Sequence, residues 1–408
     1  MRERRRNIDR VVEAVPQTTY FPLYRFVSGE DWDDQALSQQ IARRANDMLG
    51  PWKRQGLIID PSAFLKKGDY SVGVGRQWAG CAGKRDNCQL GVFASLCAAG
   101  KSILIDKRLY LPRPWTEDQE RMKKAKIPEE NRTYKSTAEL ALELVKQADL
   151  NGLRYGWIGM DGEFGKSPWL MAELNRMGKT FLIDIHKSQH VYQRHPQLRT
   201  LHKKHHQKMS TLPKPKRVDE IVSRIDNRKW GKLRIRETSK GVLEVEFLHM
   251  RVWVKDDEDK PCRRHLIVRR ERNKKGDWEY KYSLSNAPMK TRKARLAYWQ
   301  CMRYWVEHGI KECKDGLGLA EYQVRRWRGW HNHMTLTMLA ALFLLEERLV
   351  LGKSVPLLTL NDMTELIKAL LPDRRTDLKE AAKLMHRRHR ARVRTMRHGP
   401  IRLTAGAG

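Results

Sequence analysis

Three acids lie in segments far apart in this 408-residue chain: Asp60 closes Gly56-Leu-Ile-Ile, Asp161 closes Trp157-Ile-Gly-Met, and Glu307 sits between Arg303 and Lys314. A few converging carboxylates can hold divalent metals that activate a water or a DNA 3′-hydroxyl and stabilise the leaving oxygen. That chemistry breaks or joins phosphodiesters. Lys and Arg number 81 against 48 Asp and Glu, a formal charge of +33. Such a field attracts a polyanion and makes its binding salt-dependent. Charge selects the partner without selecting the reaction, since RNA-binding proteins share the surplus.

Each acid has an ordinary reading as well. Asp60 precedes Pro61, and Asp before Pro initiates turns. On a strand buried on both faces, a lone carboxylate would instead cost several kcal/mol, about 2–7, unless cations or hydrogen bonds meet it. The same apolar-run-then-Asp pattern returns at Asp161, and the two can lie side by side if their strands are adjacent. Glu307 could belong to a solvated helix face. At about 100° per residue, Arg303, Glu307 and Lys314 share a stripe roughly 60° wide, so one face shows cation, acid, cation. Glu163, two residues beyond Asp161, would face the same way on a continuing strand and is the main rival ligand. The stretch Glu321-Tyr-Gln-Val-Arg-Arg-Trp-Arg-Gly-Trp330 interleaves Arg325, Arg326 and Arg328 with tryptophans. Cations there can meet phosphates while the rings stack or pack.

The elements that must position these residues follow from the hydrophobic period. Residues 1–56 read as helical, with 31–48 the clearest helix, and are expected to bind DNA. A core begins at 57 and runs to 190: strands over 57–64, 70–78, 89–98 and 102–111, a helix over 137–148, a strand over 156–161, a helix over 167–177 and a strand over 180–186. From 191 to 290 the pattern is β-rich, with strands over 232–237, 242–247, 250–255, 265–270 and 278–284 and histidines at 202, 205 and 206 before them. Helices over 293–313 and 331–349 complete the core through 350. A helical, basic region, 351–408, ends in a run with six arginines and no acid between His386 and His398. Strands followed by helices alternating with strands suggest a mixed sheet with helices on its faces. Six scattered cysteines without a Cys-x-x-Cys pair give neither a zinc ribbon nor a disulfide framework. The longest apolar run, 338–345, is too short to span a bilayer, and no signal pattern opens the chain. A soluble cytoplasmic protein without a membrane partner is expected.

Leu57-Ile-Ile-Asp60 through Lys66-Lys67-Gly68, Ser71-Val-Gly-Val-Gly-Arg-Gln-Trp78, Asn87-Cys-Gln-Leu-Gly-Val92, Gly159-Met-Asp161 with Phe164-Gly165, and Arg303-x3-Glu307-x6-Lys314 are long, ordered motifs. Together, over roughly residues 20–350, they resemble bacterial insertion-sequence transposases of the DDE, ribonuclease-H-like superfamily with a Tyr-Arg-Glu-Lys signature. The resemblance implies an α/β ribonuclease-H-like mixed sheet with flanking helices, interrupted by a β-rich insertion before the catalytic helix. It implies Asp60, Asp161 and Glu307 as ligands of two Mg²⁺ (or Mn²⁺) ions, and Arg303 and Lys314 as the residues that hold the DNA end; Arg325, Arg328, Lys66 and Lys67 are the further DNA-binding candidates. Double-stranded DNA, both inverted-repeat ends and target, would be the substrate of a DNA-bound homodimer associated with the nucleoid. The chain departs from the pattern at Gln300, where the signature has Tyr and Tyr298 is the nearest replacement, and at Pro61, where a polar residue is expected. A ribonuclease-H-like nuclease without strand transfer and a non-catalytic DNA-binding protein derived from a transposase are the alternatives.

Overall fold

The computed structural model describes residues 8–351 except 16, 17, 30, 31, 198, 199, 205, 206, 239, 240 and 274, then 360–370 and scattered positions as far as 393. His205, His206 and most of the arginine-rich tail lie outside the described residues.

Three helices come first: α1 (Ile8–Ala14), α2 (Tyr20–Ser28) and α3 (Asp34–Met48). Asp33 caps α3 by accepting from the Gln35 backbone N–H. Strands β1 (Gly56–Leu65), β2 (Gly75–Ala79), β3 (Lys84–Ala98) and β4 (Lys101–Tyr110) follow, paired antiparallel through β3. Short helices α4 (Arg113–Thr116) and α5 (Gln119–Lys124) lead to α6 (Thr137–Leu150), which opens on a reciprocal capping box between Ser136 and Glu139. Then come β5 (Trp157–Met160), α7 (Pro168–Arg176) and β6 (Phe181–Ile185). The chain continues through β7 (His190–Val191), β8 (Thr200–Lys204), β9 (Gln207–Thr211), β10 (Lys216–Arg217) and α8 (Val218–Ser223). In this stretch β7 pairs with β10 and β8 with β9. Long strands β11 (Gly231–Thr238), β12 (Gly241–Lys255), β13 (Pro261–Arg272) and β14 (Trp278–Ser285) precede helices α9 (Lys293–Met302), α10 (Tyr304–Leu317), α11 (Trp327–Leu351) and α12 (Leu360–Leu370).

A ten-stranded mixed sheet runs in the order β11-β12-β13-β14-β6-β5-β1-β3-β2, with β4 also on β3. Its centre is parallel, β1 to β5 and β5 to β6, and both flanks are antiparallel. Central position explains composition. Leu57, Ile58, Ile59, Trp157, Ile158, Met160, Phe181, Leu182 and Ile183 are all essentially inaccessible, because helices or neighbouring segments cover both faces of the parallel strands. The strands expected in the β-rich stretch extend this same sheet, since β14 lies antiparallel on β6. They cover a second apolar cluster that includes Val218, Val252, Leu266 and Leu284.

Several boundaries differ from the sequence reading. The expected strand over 70–78 starts only at Gly75, after a turn in which Gly73 takes φ 74°. The pair expected over 242–247 and 250–255 is one fifteen-residue strand. The single helix expected over 293–313 breaks at Arg303: α9 packs on β13 and β6, α10 on β4 and β1, so the chain must change direction between them.

Candidate active site

Asp60 is not a turn cap. Strand β1 continues through Pro61 to Leu65, paired with β3 along its whole length and with β5 only as far as Ile59. Pro61 thus sits where the β5 side carries no ladder, and its missing N–H costs no bond there.

The register defines the site. Ile59 pairs with Met160, and Met160 with Ile183. One step further along three adjacent parallel strands, Asp60, Asp161 and Asp184 therefore form a row at the carboxyl ends, the position where open α/β sheets bind ligands. Asp184 was not singled out in the sequence, although Phe181-Leu-Ile-Asp184 repeats the apolar-run-then-Asp pattern of Leu57-Ile-Ile-Asp60. The Phe164-Gly165 turn packs directly on the end of this row, where a Cβ at Gly165 would overlap the Asp184 carbonyl oxygen. Strand β5 ends at Met160, so Glu163 does not continue it: its backbone N–H donates to Asp161 Oδ1 and its carboxylate pairs with Lys166 at 2.5 Å. The rival ligand points away into a local ion pair.

Arg303, at the start of α10, closes the site. Its guanidinium donates to Asp60 Oδ1 at 2.9 Å, Asp184 Oδ2 at 2.8 Å and Glu307 Oε1 at 2.6 Å. Within the stripe, Arg303 and Lys314 turn toward β1, while Glu307 reaches the site through Arg303 with its side chain still 48% exposed. Lys314 Nζ donates to the Ala63 carbonyl at 2.9 Å and lies 4.7 Å from the Phe64 ring centroid. Burial lowers its pKa, partly opposed by Asp60. Asp184 is held from the other side by the Ser283 hydroxyl at 2.5 Å, and Ser283 Oγ accepts from Gln300 Nε2 at 2.7 Å. Gln300, in the place of the signature tyrosine, is buried and works inward through this relay. Tyr298 is 37% exposed on the rim. Beside Arg303 opens a cavity of about 540 Å³, lined among others by Asp184, Arg269, Lys281, Gln300 and Glu307.

Charge is unbalanced here. Burial pushes the Asp60 carboxyl up to about 8, with repulsion from Asp161 and Glu307 adding to it and Arg303 opposing it. Burial raises Asp161 too, against Arg303 and two backbone N–H donors. Four carboxylates around one guanidinium fit further cations, and an all-oxygen donor set suits Mg²⁺ or Mn²⁺. Three of the acids bond Arg303, and among the described residues no three His, Cys, Asp or Glu side chains are grouped to hold a metal ion.

The remaining basic candidates lie elsewhere. Lys66 and Lys67 follow β1, and Arg325 lies 5.8 Å from the Tyr70 ring centroid. Arg328 leans toward Asp34, 3.8 Å away. Trp330 is core, packed on Phe93 with its indole N–H on Tyr322, so that ring packs rather than stacks on a ligand. All six cysteines are free, and among the described residues no helix is long and apolar enough to cross a membrane.

Residues 1–242 match the family model for the DDE superfamily endonucleases. The chain belongs to that family. The match covers Asp60 and Asp161 and stops short of Glu307, which tertiary structure joins to them. A protein of Microchaete diplosiphon described as a probable transposase for insertion sequence element IS701 is 23% identical over 333 residues, 79% of this chain and 74% of its own length. The family match agrees with the ribonuclease-H-like mixed sheet and its flanking helices.

Proposed function

We propose that this DDE endonuclease is a DNA transposase that cuts at the inverted-repeat ends of an insertion sequence and joins the freed 3′-hydroxyl to target DNA. The observation that carries the reading is the convergence of Asp60, Asp184 and Glu307 on Arg303, with Asp161 in the same row, in a chain similar to an insertion-sequence transposase. Asp60, Asp161 and Glu307 would hold two Mg²⁺ or Mn²⁺ ions. When bound, such ions activate the attacking oxygen and stabilise the leaving one.

The chain's own groups do the positioning. Asp60 and Asp161 are fixed by their strands at the end of the parallel core, where neighbouring apolar side chains exclude water and strengthen every charge interaction. Asp184, braced by Ser283 and Gln300, orients Arg303. Arg303 and Lys314 supply positive charge for the scissile strand, and Arg325, Arg328, Lys66 and Lys67 extend it along the DNA. The N-terminal helices would add DNA contacts, and two copies would act together to bring two ends into one complex. A soluble, nucleoid-associated protein in the cytoplasm suits that substrate.

The deciding experiment incubates the purified protein with the end DNA of its own element, with Mg²⁺ and without, and then supplies a precut end and a target plasmid. Metal-dependent nicking followed by joined products supports transposition. Nicking without joining leaves a ribonuclease-H-like nuclease, and binding without nicking leaves a DNA-binding derivative.

A further inference from the structure

A second groove, of about 1390 Å³, lies between α2, the loop after β1 and the segment joining α10 to α11. Its walls carry Lys66, Lys67, Arg325 and Arg326 together with Tyr20, Tyr24 and Tyr70, and among its described residues there is no carboxylate. Lys67, Arg325 and Arg326 are exposed. Lys66 is half-buried with its ammonium 3.4 Å from the Tyr322 ring centroid, and makes no ion pair with a described residue. Burial alone brings its pKa down to about 8. A nearby anion would favour its charged form.

The tyrosines set this surface apart from a plain phosphate track. Tyr70 is 75% exposed and Tyr24 41% exposed. Tyr20 and Tyr24 stack on one another, 5.8 Å between centroids at 12°, a ring pair that a further flat ring can extend. Duplex DNA hides its base faces in the stack, so exposed rings gain nothing from it beyond rim contacts. An unpaired strand presents both parts that fit, a phosphate chain for the four cations and base faces for the rings.

Resting on the transposase reading, we infer that this groove binds an unpaired DNA strand next to the cut site, its phosphates on Lys66, Lys67, Arg325 and Arg326 and its bases stacked on Tyr24 and Tyr70. Strand β1 joins the two places: Lys66 is six steps along the chain from Asp60, about 20 Å if extended. A strand that spans this distance from the row of acids would reach the groove.

The test uses the full chain, fluorescence anisotropy and three probes of one sequence: a blunt duplex, the same duplex with a single-stranded extension of about six nucleotides containing 2-aminopurine, and an RNA version of that extension. The extension should tighten binding by at least about fivefold, and its 2-aminopurine should be quenched by stacking. Tyr24→Ala with Tyr70→Ala should lose both effects, while Tyr24→Phe with Tyr70→Phe should keep them. Equal affinity for blunt and extended duplex, with unquenched 2-aminopurine, overturns the inference but leaves duplex binding and transposition standing. An equal loss on both duplexes in the alanine variant also overturns it, since the rings would then be general contacts. So does a tighter grip on the RNA strand. If even the blunt duplex fails to bind at low salt, the transposase reading itself falls.

Discussion

Arg303 Nη1 lies 2.9 Å from Asp60 Oδ1, joining the start of α10 to the end of the parallel core across 243 residues of sequence. Both side chains are largely buried, 12% exposed each. The same guanidinium serves Asp184 and Glu307, so one cation holds a cluster of acids that repel one another.

If Asp60, Asp161 and Glu307 share the metals, Asp60→Asn, Asp161→Asn and Glu307→Gln should each abolish cleavage of end DNA and leave end binding within about twofold, because phosphate contacts elsewhere carry affinity. Gel-shift and nicking assays on the same preparations separate the two. Should Glu307→Gln nick at the normal rate, Asp184 would be the acid to test in its place.

Removing Arg303 strips the cluster of its cation. Arg303→Ala should cost about 3–5 kcal/mol, the usual loss when one partner of a buried ion network goes, and added Mn²⁺ should raise the melting temperature of the variant more than that of the wild type. Thermal unfolding with and without Mn²⁺ reads both; equal gains would mean that Arg303 does not compete with the ion for these carboxylates. In salt titrations of end binding, Arg303→Ala and Lys314→Ala should each lower the slope by about one unit per lost phosphate contact.

Two strands across from Asp60, paired through Phe93 of β3, fully buried Lys107 on β4 bonds Asp34 at 2.7 Å, Ser38 at 2.9 Å and Thr335, tying α3 and α11 to the sheet. Lys107→Met should destabilise by about 3–5 kcal/mol because buried Asp34 keeps only the distant Arg328, 3.8 Å away, as a counter-charge. Adding Asp34→Leu should recover most of that loss, and urea unfolding of the single and double variants measures the coupling. An additive double variant would show that the ion pair is not what fastens α3.

Acid should loosen the fold through histidines kept neutral by burial. His333 shares a hydrogen bond with the Gly318 carbonyl at 3.1 Å, and burial lowers its pKa from 6.5 to about 4. Between those values the unfolded chain binds the proton and the folded chain does not, so this stability is present above pH 6.5 and is lost as pH falls to about 4. The loss is up to about 3 kcal/mol. His333→Gln should unfold in urea with a smaller difference between pH 7 and pH 4.5, His249 and His331 keeping their own share since burial brings both to about 4. An undiminished difference would mean that His333 charges without cost.

Much of this was legible in the residues. Runs such as Leu57-Ile-Ile and Trp157-Ile-Gly-Met mark central strands because a strand covered on both faces must be apolar throughout, and an acid ending such a run is too costly to be incidental. Helical spacing placed Arg303, Glu307 and Lys314 on one face. What spacing could not give was which way that face turned, or that the helix breaks at Arg303, since both depend on packing against β1 and β13. Asp184 carried the same local signal as Asp60 but acquires meaning only from register: the pairings Ile59 with Met160 and Met160 with Ile183 set three aspartates in one row, and strand pairing is a relation between distant segments. Glu163 shows the converse, a local alternation cut short where the strand ended. Lys66 and Arg325, separate DNA-binding candidates in the sequence, and Tyr24, which carried no signal there, line one groove only because α2, the end of β1 and the α10–α11 segment pack together, and long-range packing is what a linear reading lacks.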